Sequence, residues 1–282
     1  MSRRQTLVPK VVALSPTSLE AWSRCERQYL LRHILGMPPS DAGLSSDEGL
    51  RLHAVLRFIH EHNSCQDPDI VSTVLSDHAC DTEAMRTMVG RHRDRCPSAP
   101  KVGASPDQAP SVGHHEVERA RYHHHPVPMF LAAARLDAVW IHDGIFDIRD
   151  YKSGARSPLE LRHDPRAWIQ AWVMAPRAAS QNARLRIRYE YLAPEVHEDP
   201  EPWEPDDDDL AEVEERLRAT VLAIHDSDFP GVSEPSVCGR CPFRSVCSES
   251  AAPGAPTWPS LAVDLDDLDD TNADHDSSNF IA

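Results

Sequence analysis

Three residues stand where strand alternation would put apolar side chains: Asp137 in ARLDAVWIH, and Asp150 and Lys152 in IFDIRDYKSG. The two segments flank His142-Asp143-Gly144, and Asp-Gly supplies the positive φ angles that a tight hairpin turn needs. Side chains two apart on a strand share a face. Phe146, Ile148, Asp150 and Lys152 therefore point one way, and Asp147, Arg149 and Tyr151 the other. An apolar row that closes on a carboxylate and an amine is costly, because a buried charge must be paired or metal-bound. Asp137, on the preceding strand, is a second carboxylate within reach of the same spot. Two carboxylates and a lysine meeting at the end of a sheet are what metal-assisted phosphodiester hydrolysis requires.

A second set of reactive side chains lies near the far end: Cys238-Gly-Arg-Cys241, then Cys247. A CxxC pair places two thiolates on one metal, and a third follows six positions after the second. Three ligands are one short of a closed site, and Cys25, Cys65, Cys80 and Cys96 are the remaining candidates on counting alone. His53 adjoins the helical stripe of Leu52, Val55, Leu56 and Ile59, a place where a lone histidine is usually a core residue. The run His123-His124-His125 has strand neighbours pointing to alternate faces, so it cannot chelate one ion together and is expected in an exposed turn.

The elements that must position these groups follow from pattern. Ser15-Pro16 opens a first helix that is expected to run to Gly36, with Cys25 in its middle. A second helix is predicted at 48–63 and a third helical region at about 69–93. Residues 97–111 are a Pro/Ala/Ser linker, and strands are predicted at 114–122, 129–141 and 145–152. A helix at 164–175, a strand at 184–192, an acidic loop at 194–209 and a helix at 207–226 complete the order. That order predicts a mixed α/β (α+β) domain. GxxxxGK[ST], GxSxG and GxGxxG do not occur, so the chain has no P-loop motor of its own.

The chain has 282 residues and a net charge of −16, but the acidity is segmental. Residues 195–215 hold twelve acids and 251–282 hold seven, both without Lys or Arg; removing these nineteen from 45 leaves 26 acids against 29 bases. A locally basic groove is therefore compatible with the composition. With no long apolar run and no signal-like apolar core at the N-terminus, a cytoplasmic protein is expected. Seven cysteines at uneven spacing fit a metal site with spares better than a disulfide framework.

Taken in order, SPTSLEAWSRCERQYL, GLRLHAVL, RLDAV, RDYKSG and CGRCPFRSVC resemble the RecB-like branch of the PD-(D/E)XK nucleases. The similarity extends over residues 14–250 and is greatest to its iron–sulfur members, the AddB-type nuclease domains and the RecB-like exonucleases associated with CRISPR adaptation. The resemblance implies a restriction-endonuclease-like core, a central mixed sheet flanked by helices, with an N-terminal helical region and a C-terminal cysteine segment. It implies that His53, Asp137 and Asp150 hold Mg²⁺ or Mn²⁺, and that Asp137, Asp150, Lys152 and Gln170 form the catalytic set. It also implies that Cys25, Cys238, Cys241 and Cys247 bind a 4Fe-4S cluster, with zinc as the alternative. Ala134 stands where the family has Gly, and Met174 stands four residues after Gln170 where it has Tyr, with Trp172 as a candidate substitute aromatic.

The function expected from this resemblance is a metal-dependent DNA nuclease, an exonuclease on single-stranded or unwound ends, in repair, recombination or CRISPR adaptation. A separate helicase or a recombination or CRISPR protein would be its partner. The competing expectation is a catalytically silent nuclease-fold protein that binds DNA or a partner and keeps only a structural iron–sulfur or zinc site. Residues 1–13 form an extension, 14–250 the domain closed by the cysteines, and 251–282 an acidic tail expected to be disordered.

Overall fold

The computed structural model describes residues 8–39, 47–62, 64–97, 112–124, 128–154, 160–196 and 198–250. Most of the predicted linker and the whole acidic tail lie outside them. Within this range the chain is a mixed α/β domain, as its sequence predicts, with one five-stranded sheet between two helical layers.

Strand β1 (Val12–Leu14) leads into helix α1 (Pro16–Arg24). Ser15 and Ser18 form a reciprocal capping box at its start: Ser15 Oγ accepts from the Ser18 N–H at 3.1 Å, and Ser18 Oγ accepts from the Ser15 N–H at 2.7 Å. The expected continuous helix to Gly36 does not form. Cys25 is extended (φ −167°, ψ 118°), and the chain resumes as the short helix α2 (Glu26–Tyr29) and a π-helical turn at Leu30–Ile34. Contacts from the C-terminal segment hold this break, since the Arg27 N–H donates to the Pro230 carbonyl at 3.2 Å and its guanidinium pairs with Glu249.

Helix α3 (Asp47–Glu61) buries Leu52, Val55, Leu56 and Ile59 along one stripe. The third helical region is two helices, α4 (Pro68–Asp77) and α5 (Glu83–Arg95), capped by Asp67 and Thr82. Ala79 at φ 50° turns the chain between them, a break that the apolar spacing alone does not reveal.

Strand β3 (Phe130–His142) is the spine of the sheet. Along one edge it pairs antiparallel with β2 (Val112–His123). Along the other it pairs first with β1 in parallel, at Phe130–Ala132, and then with β4 (Ile145–Lys152) antiparallel, from Ala138 onward. The hairpin between β3 and β4 turns at Asp143 (φ 49°) and Gly144 (φ 70°), the left-handed pair that the Asp-Gly signal predicts. Strand β5 (Arg184–Tyr191) then pairs with β4 in parallel, and the crossover between them carries helix α6 (Pro165–Ser180). Helix α7 (Asp207–Asp226) and the short α8 (Pro235–Cys238) follow.

Both faces of the sheet are covered. Val139, Phe146, Ile148, Ile187 and Tyr189 join the core formed with α1, α6 and α7. Ala138, Trp140, Tyr151 and Leu192 join the core formed with α3, α4 and α5. As a result β4 is buried on both sides, and its polar side chains must find partners inside the protein. The histidine run is not an exposed turn: His123 is buried at the end of β2, stacked on Phe130 at 4.8 Å and with Nδ1 3.5 Å from Glu214. His124 alone is exposed, and His125 lies outside the described residues.

Helix α6 runs past Pro176 to Ser180, five residues beyond the predicted end. Proline lacks the N–H that would bond the carbonyl of Trp172. Arg121 takes that role, donating from Nη1 to the Trp172 carbonyl at 2.9 Å while its guanidinium lies 4.0 Å above the Trp172 ring. Arg121→Ala should therefore cost about 1–2 kcal/mol in urea unfolding, and Arg119→Ala close to nothing. Adding Pro176→Ala to Arg121→Ala should recover part of the loss, because that substitution restores the helical N–H donor.

Candidate active site

The two carboxylates face each other where the hairpin ladder ends. Backbone pairing of β3 with β4 stops at Ala138–Arg149, one step short of the position at which Asp137 would oppose Asp150. There Asp137 replaces a ladder acceptor with its own side chain, Oδ2 accepting from the Tyr151 N–H at 2.8 Å. Helix α3 brings His53 to the same point, with Nδ1 3.2 Å from Asp137 Oδ1 and Nε2 3.0 Å from the Tyr151 carbonyl. The carbonyl accepts from Nε2–H, so Nδ1 faces the carboxylate and donates to it when His53 is protonated on both nitrogens. His53 is thus not a core histidine, although it adjoins the apolar stripe of its helix.

On β4, Asp150 is 9% exposed and its Oδ2 pairs with Lys152 Nζ. Lys152 Nζ also lies 4.7 Å from the ring centre of Tyr189, on β5. Asp137 and Asp150 lie close enough for each charge to act on the other. Burial pushes the Asp150 carboxyl up to about 6; Lys152 opposes this and the Asp137 charge adds to it. Burial works against Asp137 as well, but the hydrogen bond and charge of His53 hold it down to about 2. The same contacts raise His53 above the usual histidine value in spite of its burial. Two neighbouring acids with divergent proton affinities are a common arrangement at functional sites.

The donor set fits a divalent ion. Two carboxylates, one buried and one half-buried, and one imidazole nitrogen suit Mg²⁺ or Mn²⁺, hard cations that take oxygen ligands and keep part of their water. The structure therefore brings together His53, Asp137, Asp150 and Lys152. Gln170 is buried on α6, and its Oε1 has no hydrogen-bond partner among the described residues. Trp172 packs in the core and donates its Nε1–H to Glu214 at 3.0 Å.

One cation at the site has no sequence signal beyond its place at the start of a helix. Arg166, near the start of α6, is clamped by its neighbour Asp164, Nη2 to Oδ2 at 2.9 Å. Its guanidinium lies 5.6 Å from the ring centre of Tyr189, the ring that Lys152 also approaches, and it acts electrostatically on Asp150.

The seven cysteines divide into a set of four, a pair, and Cys80, which is buried in the core formed with α3, α4 and α5 but belongs to neither set. Cys25, Cys238, Cys241 and Cys247 line one pocket, where the break after α1 meets the C-terminal segment. Burial raises the Cys241 and Cys247 thiols above their usual range. Four thiols around one cavity suit either an iron–sulfur cluster or zinc. Cys65 and Cys96, fourth-ligand candidates on counting alone, lie in the other core and gather with His60 and His92 instead.

The sequence model described as the PD-(D/E)XK nuclease superfamily matches residues 13–248. Among solved structures, one described as "Crystal structure of SSO0001" is similar at 16% identity, covering 80% of this chain and 95% of that one with a TM-score of 0.36. No curated protein matches the chain.

The buried acids carry a stability cost with a definite sign. Asp150 has a folded proton affinity above its unfolded one, so stability falls as pH rises from about 4 through about 6. Asp137 acts in the opposite sense, its contribution being lost only as pH falls from about 4 toward about 2. Asp150→Asn should therefore stabilise metal-free protein at pH 8 by on the order of 1–3 kcal/mol. At pH 4 it should leave stability nearly unchanged, as measured by thermal melts in EDTA.

Proposed function

The chain belongs to the PD-(D/E)XK nuclease superfamily, whose members hydrolyse phosphodiester bonds with divalent metal ions, and on that premise we propose that it is a Mg²⁺- or Mn²⁺-dependent deoxyribonuclease. In this reading it is an exonuclease on single-stranded or unwound DNA ends, serving repair, recombination or CRISPR adaptation beside a separate helicase. The observation that carries the reading is the meeting of His53, Asp137, Asp150 and Lys152 at the end of the β3–β4 ladder.

Asp137, Asp150 and His53 hold the ion, which when bound supplies Lewis-acid activation of water and neutralises charge on the phosphate. Asp137 is fixed by the Tyr151 N–H and His53, so its carboxylate needs no reorganisation before it acts. Lys152 offers an ammonium at the same point, and Tyr189 restricts where that ammonium can sit. Its role is to contact a non-bridging oxygen of the scissile phosphate and to orient the attacking water. Arg166, held by Asp164 beside Tyr189, is placed to bind a neighbouring phosphate. The pocket of Cys25, Cys238, Cys241 and Cys247 supports a 4Fe-4S cluster that joins the first helix to the C-terminal segment.

End-labelled single- and double-stranded DNA, incubated with anaerobically purified protein, should be shortened with Mg²⁺ or Mn²⁺ and remain intact with EDTA. Asp137→Ala, Asp150→Ala and Lys152→Ala should each lower turnover by at least about 100-fold. Arg166→Ala should mainly raise the apparent KM, by about 10-fold. Equal activity in wild type and Asp150→Ala would refute the assignment.

A further inference from the structure

A buried set of donors outside the carboxylate site has no role in the reading above. His60, Cys65, His92 and Cys96 are all buried, and one ligand atom from each lies within 4.8 Å of every other. We propose that these four residues bind a structural zinc ion, distinct from both the carboxylate site and the four-cysteine pocket.

The spacing comes from helix ends. His60 is in the last turn of α3 and Cys65 lies just beyond it, while His92 is in the last turn of α5 and Cys96 caps it. Each pair straddles a helix C-terminus and turns two donors inward, so the two helices present a set of two imidazoles and two thiols. Zinc–sulfur bonds of about 2.3 Å and zinc–nitrogen bonds of about 2.0–2.1 Å put tetrahedral donors about 3.3–3.8 Å apart. Here His60 Nε2 is 2.9 Å from His92 Nε2 and 3.3 Å from Cys96 Sγ, slightly inside the edges of that tetrahedron.

The surroundings select the coordinating nitrogen. His92 Nδ1 is 2.9 Å from Glu190 Oε2, and a carboxylate partner there keeps the proton on Nδ1 and turns Nε2 inward with its lone pair free. Glu190 is itself paired with Arg149, whose Nε donates to Asp147 at 2.9 Å. That buried chain explains why β4 carries Asp147 and Arg149 on its second face. It is the outer support that metal-bound histidines ordinarily have. Two thiolates and two neutral imidazoles leave the ion uncharged overall, which suits an apolar core, and a closed set of four favours zinc in a structural role.

The site has a consequence for the other centre. His60 and His53 are two turns apart on α3, and Tyr151, whose backbone holds His53 and Asp137, packs its ring 4.9 Å from His92. Zinc at this point would pin α3 to α5 and the sheet directly behind the carboxylates.

The full chain, purified with a reductant and without added metal, tests this by elemental analysis and acid-labile sulfide. About one zinc per chain is expected, lost in the double variant Cys65→Ser/Cys96→Ser and kept in Cys25→Ser/Cys238→Ser. Because the first double variant puts two hydroxyls in a buried core and can fail to fold, wild type supplies a second readout. Protein stripped of zinc and titrated with Co²⁺ should develop the intense visible bands of a tetrahedral thiolate site, saturating at about one equivalent. Wild-type protein without zinc and without Co²⁺ bands, zinc retained in Cys65→Ser/Cys96→Ser, or a Cys65–Cys96 disulfide in native protein would each overturn the proposal.

Discussion

The rest of the structure is organised by the enclosure of two carboxylates, Asp150 buried and Asp137 half-buried, at the point where the β3–β4 ladder ends. Asp137 and Asp150 cannot both be charged there without help, and three devices supply it. His53 stands against Asp137, Lys152 stands against Asp150, and the Tyr151 N–H gives up a backbone acceptor for the Asp137 side chain. The help is unequal: Asp137 keeps its charge easily, whereas Asp150 holds its proton to about 6. A core that needed only stability would place apolar groups at these positions. The divergence instead leaves a site at which a divalent cation can take the place of the Asp150 proton.

The architecture follows from holding those groups in place. Asp150 and Lys152 lie on a strand that stays paired with β5 at Tyr189 and Tyr191, which fixes their backbone where the ladder to β3 has ended. His53 comes from a different layer, and its position depends on how α3 packs against the sheet. The chain Asp147–Arg149–Glu190–His92 runs through that packing on the far face of β4. One strand thus serves two centres, the odd positions feeding one side and the even positions the other.

Much of this was legible before any coordinates. The Asp-Gly turn, the hairpin and α7 follow from alternation, helical spacing and turn chemistry, which are local signals. The meeting of Asp137 with Asp150 was also readable, because a hairpin fixes its own register. The break at Cys25 was not, since it is held by Pro230 and Glu249, about two hundred residues downstream. The extension of α6 past Pro176 depends on Arg121 from another strand, and the burial of His123 on Phe130 and Glu214. The histidine–cysteine set left no recognisable motif, because its two halves sit on separate helices more than twenty-five residues apart. The residue expected in the catalytic set that the structure leaves outside its hydrogen bonds is Gln170, and the cation not anticipated is Arg166.

The central claim, that Asp137 and Asp150 jointly form a divalent-cation site, is tested most directly by Mn²⁺ binding to the full chain at pH 8. The binding can be followed by the loss of the free Mn²⁺ electron paramagnetic resonance signal. The account predicts saturable binding that Mg²⁺ displaces, and that Asp150→Asn weakens by at least about 100-fold while raising the melting temperature of the metal-free protein. Undiminished Mn²⁺ binding by Asp150→Asn would contradict it.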